Sequence, residues 1–142
     1  MILFRADGNE MIASGHIMRC LSIAQAAEEL GEECCFAMAD RSCSDIVKNA
    51  GIKSFYLSTD FQNMEEELKV FIPVLEKIRP RCVVVDSYYV TERYLEEIRK
   101  YSRTIYVDDL GSFAYPVDVL VNYNIYGEKI DYVQMYHKQN KP

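Results

Sequence analysis

The amino-acid sequence predicts an open α/β fold built on a mostly parallel, doubly wound sheet. Short apolar runs alternate along the chain with segments of helical spacing, so strands and helices follow one another as a βαβα series. The run CVVVD at 82–86 is apolar on both of its alternating faces, as expected for a parallel strand that helices cover on both sides. These two observations favour one sheet with helices on both faces.

The first part of the chain predicts three strands and two helices. The strands are expected at 1–6, 33–39 and 53–57. The helices are expected at 15–30 and 43–50, each followed by a glycine that is a natural helix end, Gly31 and Gly51. In the first helix, one face carries apolar side chains at spacings of three and four residues: Ile17, Cys20, Leu21, Ala24 and Ala27.

A third helix is predicted over 63–79. Its inner face is marked by Leu68, Phe71, Ile72, Leu75 and Ile78. Pro73 lies inside this segment and predicts a kink or a break into two helices, because proline removes a backbone donor. The acidic run Glu65, Glu66 and Glu67 is typical of the solvated face of a helix.

The alternation continues as far as Asn122 and then fades. Four elements are predicted in order: a strand at 82–86, a helix at 91–101 with Thr91 as its N-cap, a strand at 104–109 and a sixth strand at 117–122. Residues beyond Asn122 are polar and rich in tyrosine, without a clear element. We therefore expect one domain over 1–122 and a tail or linker over 123–142.

Composition narrows the class of protein. The chain has 142 residues, which suits a single domain, and its net charge of −6 argues against a sequence-independent nucleic-acid binder. No apolar stretch is long enough to span a bilayer and no signal peptide is recognisable. The five cysteines include no CxxC pair, so we predict no metal site and no disulfide framework, and a cytoplasmic location.

Polar residues gather where the predicted strands end. In open α/β sheets the carboxyl ends of the strands form one rim, and ligands bind there. The residues expected on this rim are Arg5 and Asp7 after the first strand, Asp86, Ser87 and Tyr88 after CVVV, Asp108 and Asp109 after TIYV, and Asn122 and Asn124 after DVLV.

His16 is the candidate for chemistry. It lies at the first turn of the predicted helix, where unpaired backbone N–H groups attract anions and Gly15 lets a ligand approach the backbone. A neutral imidazole there can accept a proton, and Arg19, one turn further on, can pair with an anionic group. The alternative is that His16 only caps or packs at a turn.

The acidic residues of the rim also have two interpretations. Asp86 or Asp109 could orient His16 or bind sugar hydroxyls, and either could instead cap the element that follows it. Asp108 and Asp109 together could hold Mg²⁺, but no third carboxylate is placed beside them, so no metal is predicted. No Walker A or GxGxxG motif is present, and no cofactor is predicted.

The stretch RADGNEMIASGHIMRCLSIA at 5–24 resembles the N-terminus of the nucleotide-sugar hydrolases of pseudaminic acid biosynthesis. It is also similar to proteins of spore coat polysaccharide biosynthesis. The matching residues are Arg5, Asp7, Gly8, Gly15, His16, Arg19, Leu21 and Ala24. Later blocks resemble the family in the same order: VVVDSYY at 83–89, VDDL at 107–110 and VLVNYN at 119–124.

The resemblance implies half of a two-domain GT-B architecture, similar to the glycosyltransferase that makes lipid II, with this chain as its Rossmann-like half. It implies cleavage of UDP from a 2,4-diacetamido-2,4,6-trideoxy hexose with inversion, and a UDP-sugar as the ligand. His16 would be the general base that activates water. The sugar side of the cleft would be shaped by Arg5, Asp7, Gly15, Arg19, Asp86, Tyr88, Asp109 and Asn122.

Two departures from the family pattern affect this expectation. Ala13 stands where the family usually has a glycine, which restricts the loop backbone. The second domain, which holds most of the nucleotide in GT-B enzymes, is missing from this sequence, so a fragment, a partner that supplies the rest or a non-catalytic remnant are all open.

Three other functions remain open at the level of sequence. A glycosyltransferase of similar fold would use the same histidine on a sugar or lipid hydroxyl. A receiver-like signalling module would need its acidic pair after the first strand, whereas here the pair follows the fifth predicted strand. A binding or assembly half would expose an apolar patch on the rim or near the tail.

Overall fold

The computed structural model describes residues 1–139 and contains a six-stranded, entirely parallel sheet. The strands are β1 Ile2–Ala6, β2 Cys34–Met38, β3 Lys53–Tyr56, β4 Cys82–Asp86, β5 Arg103–Val107 and β6 Val119–Val121. Their order in the sheet is β3-β2-β1-β4-β5-β6. This is the Rossmann-like, doubly wound arrangement, so the predicted fold class is confirmed.

Helices cover both faces of the sheet. They are α1 Gly15–Glu29, α2 Ser44–Asn49, α3 Met64–Ile78, α4 Glu92–Arg99 and α5 Tyr132–Lys138, with a 3₁₀ turn at Ile125–Lys129. One core lies between the sheet and α1 and α2, around Phe4, Ile17 and Phe36. The other lies between the sheet and α3 and α4, around Phe71, Tyr94 and Tyr106. Alternate residues of a strand enter different cores, as in β4, where Val83 and Val85 enter one core and Val84 the other, so both faces of the inner strands are mostly apolar.

The sheet has one switch point, between β1 and β4. From β1 the chain winds outward to β2 and β3, then returns to β4 on the other side of β1 and continues to β5 and β6. Connections therefore leave in opposite directions at the carboxyl ends of β1 and β4, which opens a crevice between them. The loop after β1 and the start of α1 lie at this crevice.

Local signals in the sequence set the helix ends. Gly31 and Gly51 adopt φ values of 86° and 77° after α1 and α2, as the predicted helix ends require. The Thr91 side chain accepts a hydrogen bond from the backbone N–H of Tyr94 and caps α4, which confirms the predicted cap.

Two expectations about helices are wrong. The predicted break at Pro73 is wrong, since α3 runs without interruption from Met64 to Ile78, while the alternative of a kink stays a prediction. The proline lies on the exposed side of α3, where water can satisfy the carbonyl that its missing N–H leaves free. The other error concerns the end of the chain, where a 3₁₀ turn and α5 follow β6 instead of an irregular tail.

Side chains of the final segment attach it to the connection between β5 and β6. Tyr132 donates a hydrogen bond to Asp108 at 2.6 Å, and Tyr136 donates one to the backbone carbonyl of Tyr115 at 2.6 Å. Residues 140–142 of the predicted tail lie outside the described residues. Among residues 1–139, no helix is both long and apolar enough to cross a membrane.

Candidate functional site

The switch point brings His16 and Asp86 together. His16 is the second residue of α1, and Asp86 is the last residue of β4, the strand beside β1. The imidazole Nδ1 lies 2.5 Å from Asp86 Oδ1. Both side chains are buried, with 5% and 1% of their surface exposed. This contact favours the interpretation in which Asp86 orients His16.

This contact fixes which ring nitrogen of His16 is available to a ligand. Nδ1 also lies 3.1 Å from Arg19 Nη2, which can only donate, but its contact with Asp86 is much shorter. Because a carboxylate can only accept, we assign the ring proton to Nδ1, which donates it to Asp86. No group among residues 1–139 is hydrogen-bonded to Nε2. In the neutral imidazole Nε2 therefore keeps its lone pair, which is the arrangement that a general base requires.

Arg19 lies one turn further along α1 and joins two carboxylates. Its guanidinium donates to both oxygens of Asp86, and to Asp109 at 2.8 and 3.0 Å. Burial lowers the pKa of Arg19, but the hydrogen bonds to Asp86 and Asp109 outweigh burial and raise it above its ordinary value. The positive charge that was expected to attract an anion is already matched within the protein.

Asp109 lies just beyond β5 and faces Arg19. It accepts a hydrogen bond from Asn124 Nδ2 at 2.7 Å in addition to those from Arg19. Burial raises the pKa of Asp109, but the hydrogen bonds from Arg19 and Asn124 outweigh it and lower the pKa below its usual value. Asp109 therefore stays ionised at neutral pH.

His16, Arg19 and Asp109 line a cavity of about 250 Å³. Five residues predicted for the site line it: Gly15, His16, Arg19, Tyr88 and Asp109. A β-carbon added to Gly15 would meet no other atom within 4 Å, so this residue leaves open space at the start of α1. The Tyr88 ring stands edge-on to the His16 ring, with centroids 4.4 Å apart. Burial and then the charge of Asp109 raise the pKa of Tyr88.

The segment after β6 completes the cavity, and of this segment only Asn122 was predicted to bind substrate. Tyr123, Asn124 and Tyr126 line it. Arg19 Nη1 donates to the Tyr123 hydroxyl at 2.6 Å, and the guanidinium lies 5.1 Å from the centre of the same ring. In the sequence, the feature that indicates this part of the cavity wall is the run NYNIY at 122–126, which directly follows a strand.

Arg5 and Asp7 lie in a different cluster. The Arg5 guanidinium is fully buried and donates to Asp7 at 2.6 Å and to both oxygens of Glu67 at 2.5 and 2.7 Å. Tyr94 and Thr59 also donate to Glu67. The Arg5 guanidinium therefore already has partners within the protein, which does not favour a contact with substrate. The predicted role of Arg5 and Asp7 in substrate binding stays a prediction.

The expectation that Glu67 lies on a solvated face is wrong. Its side chain is completely buried against Arg5. Glu67 follows Met64 by three residues and precedes Phe71 by four, so it falls on the inner face of α3. Burial favours the uncharged form of Arg5, but the hydrogen bonds and charge of Glu67 outweigh it and raise the Arg5 pKa.

Asn122 and Asp108 support the cavity from behind. Asn122 donates to the Tyr132 hydroxyl at 2.8 Å and accepts from Asn124 at 3.0 Å, so it contacts a residue of the cavity wall. Asp108 accepts from Tyr115 and Tyr132 and from the backbone N–H groups of Leu110 and Gly111. Within residues 1–139, no group of three or more His, Cys, Asp or Glu side chains is placed to hold a metal ion.

Ala13 adopts the backbone conformation that glycine favours. Its φ is 55°, and its carbonyl accepts a hydrogen bond from the Asn9 N–H at 3.1 Å that closes the loop before α1. The alanine therefore keeps a left-handed turn at this position, at a cost of about 1–2 kcal/mol.

Comparison of the chain with protein-family models gave no match, and comparison with curated proteins gave none either.

Proposed function

We propose that this chain is the base-bearing half of an inverting UDP-sugar hydrolase of the cytoplasm, acting in surface or spore coat polysaccharide biosynthesis. The observation that carries the proposal is the His16–Asp86 pair, whose free Nε2 belongs to a buried side chain lining a polar cavity at the switch point. The substrate class, a UDP-2,4-diacetamido-2,4,6-trideoxy hexose, is taken from the resemblance of residues 5–24.

The proposed reaction is a single displacement at the anomeric carbon. Nε2 of His16 takes a proton from water while the water oxygen forms a bond to that carbon. The bond from the anomeric carbon to the phosphate oxygen breaks on the opposite face, and UDP leaves with the electron pair. Asp86 stabilises the imidazolium that forms, because its carboxylate accepts the Nδ1 proton at 2.5 Å.

A second domain would hold the leaving group in this proposal. Arg19 is the one cationic side chain among the described residues that line the cavity, and Asp86 and Asp109 already match its charge. A pyrophosphate needs cations or free N–H donors around it as its charge develops. The described cavity supplies the base and the sugar wall, and the proposed partner domain supplies the remaining contacts.

The direct test is release of UDP by the full-length protein carrying His16→Ala. We expect the rate to fall by about 10²–10⁴-fold, the usual contribution of a general base. His137→Ala is the matched control, because His137 is the second of the two histidines and lies on α5, outside the cavity. Unchanged turnover in His16→Ala would overturn the proposal, and UDP release only with an added sugar acceptor would instead support a glycosyltransferase.

A second candidate function, a binding or assembly half, is favoured by exposed apolar side chains around the cavity. Met11, Leu110 and Tyr123 are more than half exposed, and Ile125 is 98% exposed. Such side chains on one rim are typical of surfaces that another domain covers. Sedimentation of the isolated chain tests this candidate: self-association is expected, and a well-behaved monomer at all concentrations would count against it.

A further inference from the structure

Three side chains of one helix hold the Asp86 carboxylate. His16, Arg19 and Cys20 stand at positions i, i+3 and i+4 of α1, a spacing that places them on one face of the helix. His16 Nδ1 and Arg19 Nη2 contact Asp86 Oδ1, while Arg19 Nε and the Cys20 thiol contact Oδ2. The Cys20 Sγ atom lies 3.7 Å from Oδ2. The sequence predicted Cys20 only as part of the apolar face of α1, so this contact gives the residue a second role.

Cys20 meets the carboxylate as a neutral thiol. The residue is fully buried. Burial, and then the negative charge of Asp86, raise the pKa of the thiol well above its ordinary value. The sulfur therefore keeps its proton at neutral pH and donates it in a hydrogen bond, which the Asp86 carboxylate accepts.

The partner of Cys20 differs from those of the small polar side chains around it. Ser22 donates to the backbone carbonyl of Met18, one turn earlier, which is a usual partner for such a side chain in a helix. Cys34 and Cys35 also donate to backbone carbonyls. Among the cysteines of residues 1–139, Cys20 is the one that donates to a carboxylate.

The thiol holds Asp86 from the side of the core. The side-chain torsion that turns a carboxylate has broad minima, so an aspartate needs partners on both oxygens to keep one orientation. Arg19 lines the cavity, its side chain is 17% exposed, and it also donates to Asp109. Cys20 is 0% exposed, so its bond to Oδ2 does not depend on what enters the cavity. With Oδ2 fixed, Oδ1 stays directed at His16 Nδ1.

We propose that Cys20 is a positioning residue for the base: its thiol fixes the Asp86 carboxylate, which in turn fixes the imidazole of His16. This inference rests on the proposed function, because the base that Cys20 positions is the base of the proposed reaction. Cys20 acts through Asp86 and touches no substrate. Its effect should therefore be seen in the orientation of the His16 ring and in kcat, and not in KM.

The test is NMR of the His16 ring in the whole chain carrying Cys20→Ala or Cys20→Ser. Cys20→Ala should shift and broaden the signal of the Nδ1 proton, because Asp86 becomes free to turn. Cys20→Ser restores a donor at the same position and should return the signal toward that of the wild type. Cys34→Ala is the matched control, because it removes a buried thiol from the same core whose partner is the Ala24 carbonyl, and it should leave the His16 signal unchanged.

Release of UDP by the full-length protein is the second readout. We expect kcat to fall about threefold to tenfold in Cys20→Ala with KM unchanged, as for loss of a weak donor to a charged group. Cys20→Ser should recover part of this loss. Cys34→Ala should keep both kcat and KM.

Two results with Cys20→Ala would overturn the inference: a His16 ring signal identical to that of the wild type, or a change that Cys34→Ala reproduces, which would reflect lost packing alone. If Cys20→Ala does not fold, Cys20→Ser decides, because its hydroxyl should keep the wild-type ring signal and a displaced signal would contradict the proposal. The ring signal needs no turnover. Absence of UDP release by the wild type would therefore overturn the proposed function, while the ring signal still tests the role of Cys20.

Discussion

His16 depends for its orientation on Asp86, a residue 70 positions further along the chain. The sequence predicted both on one rim, because the carboxyl ends of parallel strands meet there, but it could not choose between an orienting and a capping role for Asp86. Glu67 was misassigned for a related reason. An acidic run indicates solvent exposure unless a buried cation such as Arg5 is known to face it, and that contact spans 62 positions.

At the residue scale, Ala13 provides a test of the loop before α1. Its φ of 55° is left-handed, so Ala13→Gly should relieve strain that exceeds the entropy glycine loses on folding. We expect the free energy of unfolding to rise by about 0.5–1 kcal/mol. Urea denaturation measures this change, and a loss of stability in Ala13→Gly would show that the loop follows another path.

At the scale of elements, the Arg5–Glu67 pair joins β1 to α3. Arg5→Met would leave Glu67 and Asp7 buried without their cation, and we expect the free energy of unfolding to fall by about 3–5 kcal/mol. Lys53→Met is the matched control, because the Lys53–Glu33 pair is exposed and should contribute less than about 1 kcal/mol. Equal losses in the two variants would contradict a structural role for the buried pair.

The final segment could not be predicted from its sequence. A helix as short as α5 has little stability alone, so its order depends on tertiary contacts such as the hydrogen bonds of Tyr132 and Tyr136. Periodicity carries no information about those contacts. Tyrosine, rather than aliphatic, residues make them, and the run therefore had the composition of a loop.

The attachment of the final segment to the rest of the protein should weaken at alkaline pH. Burial, and then the hydrogen bond to Asp108, raise the pKa of Tyr132 from 10.0 to about 12. The folded state holds the phenol proton more tightly than the unfolded chain, so this contribution is complete below pH 10 and is lost as the pH rises toward 12.

Tyr132→Phe should therefore be less stable than the wild type by about 0.5–1.5 kcal/mol below pH 10, and the difference should narrow toward pH 12. Denaturation of both proteins across this range measures it. A difference that stays constant or widens with pH would contradict the contact between Tyr132 and Asp108.

At the scale of the whole molecule, the sheet could be predicted because each strand carries its own signal. CVVVD was recognisable as a buried parallel strand, but the order β3-β2-β1-β4-β5-β6 could not be predicted, because right-handed crossovers allow more than one doubly wound order. The sheet order then explains the site. It sets β4 beside β1, so the end of β4 meets the start of α1 and Asp86 reaches His16.

We propose that this arrangement leaves Nε2 of His16 free to act as a base. The most direct measurement is ¹⁵N NMR of the histidine side chains in the intact chain, at a pH where the imidazole is neutral, with His137 as the reference. We predict that His16 carries its proton on Nδ1 and that Nε2 is unprotonated. A proton found on Nε2, with Nδ1 bare, would contradict it.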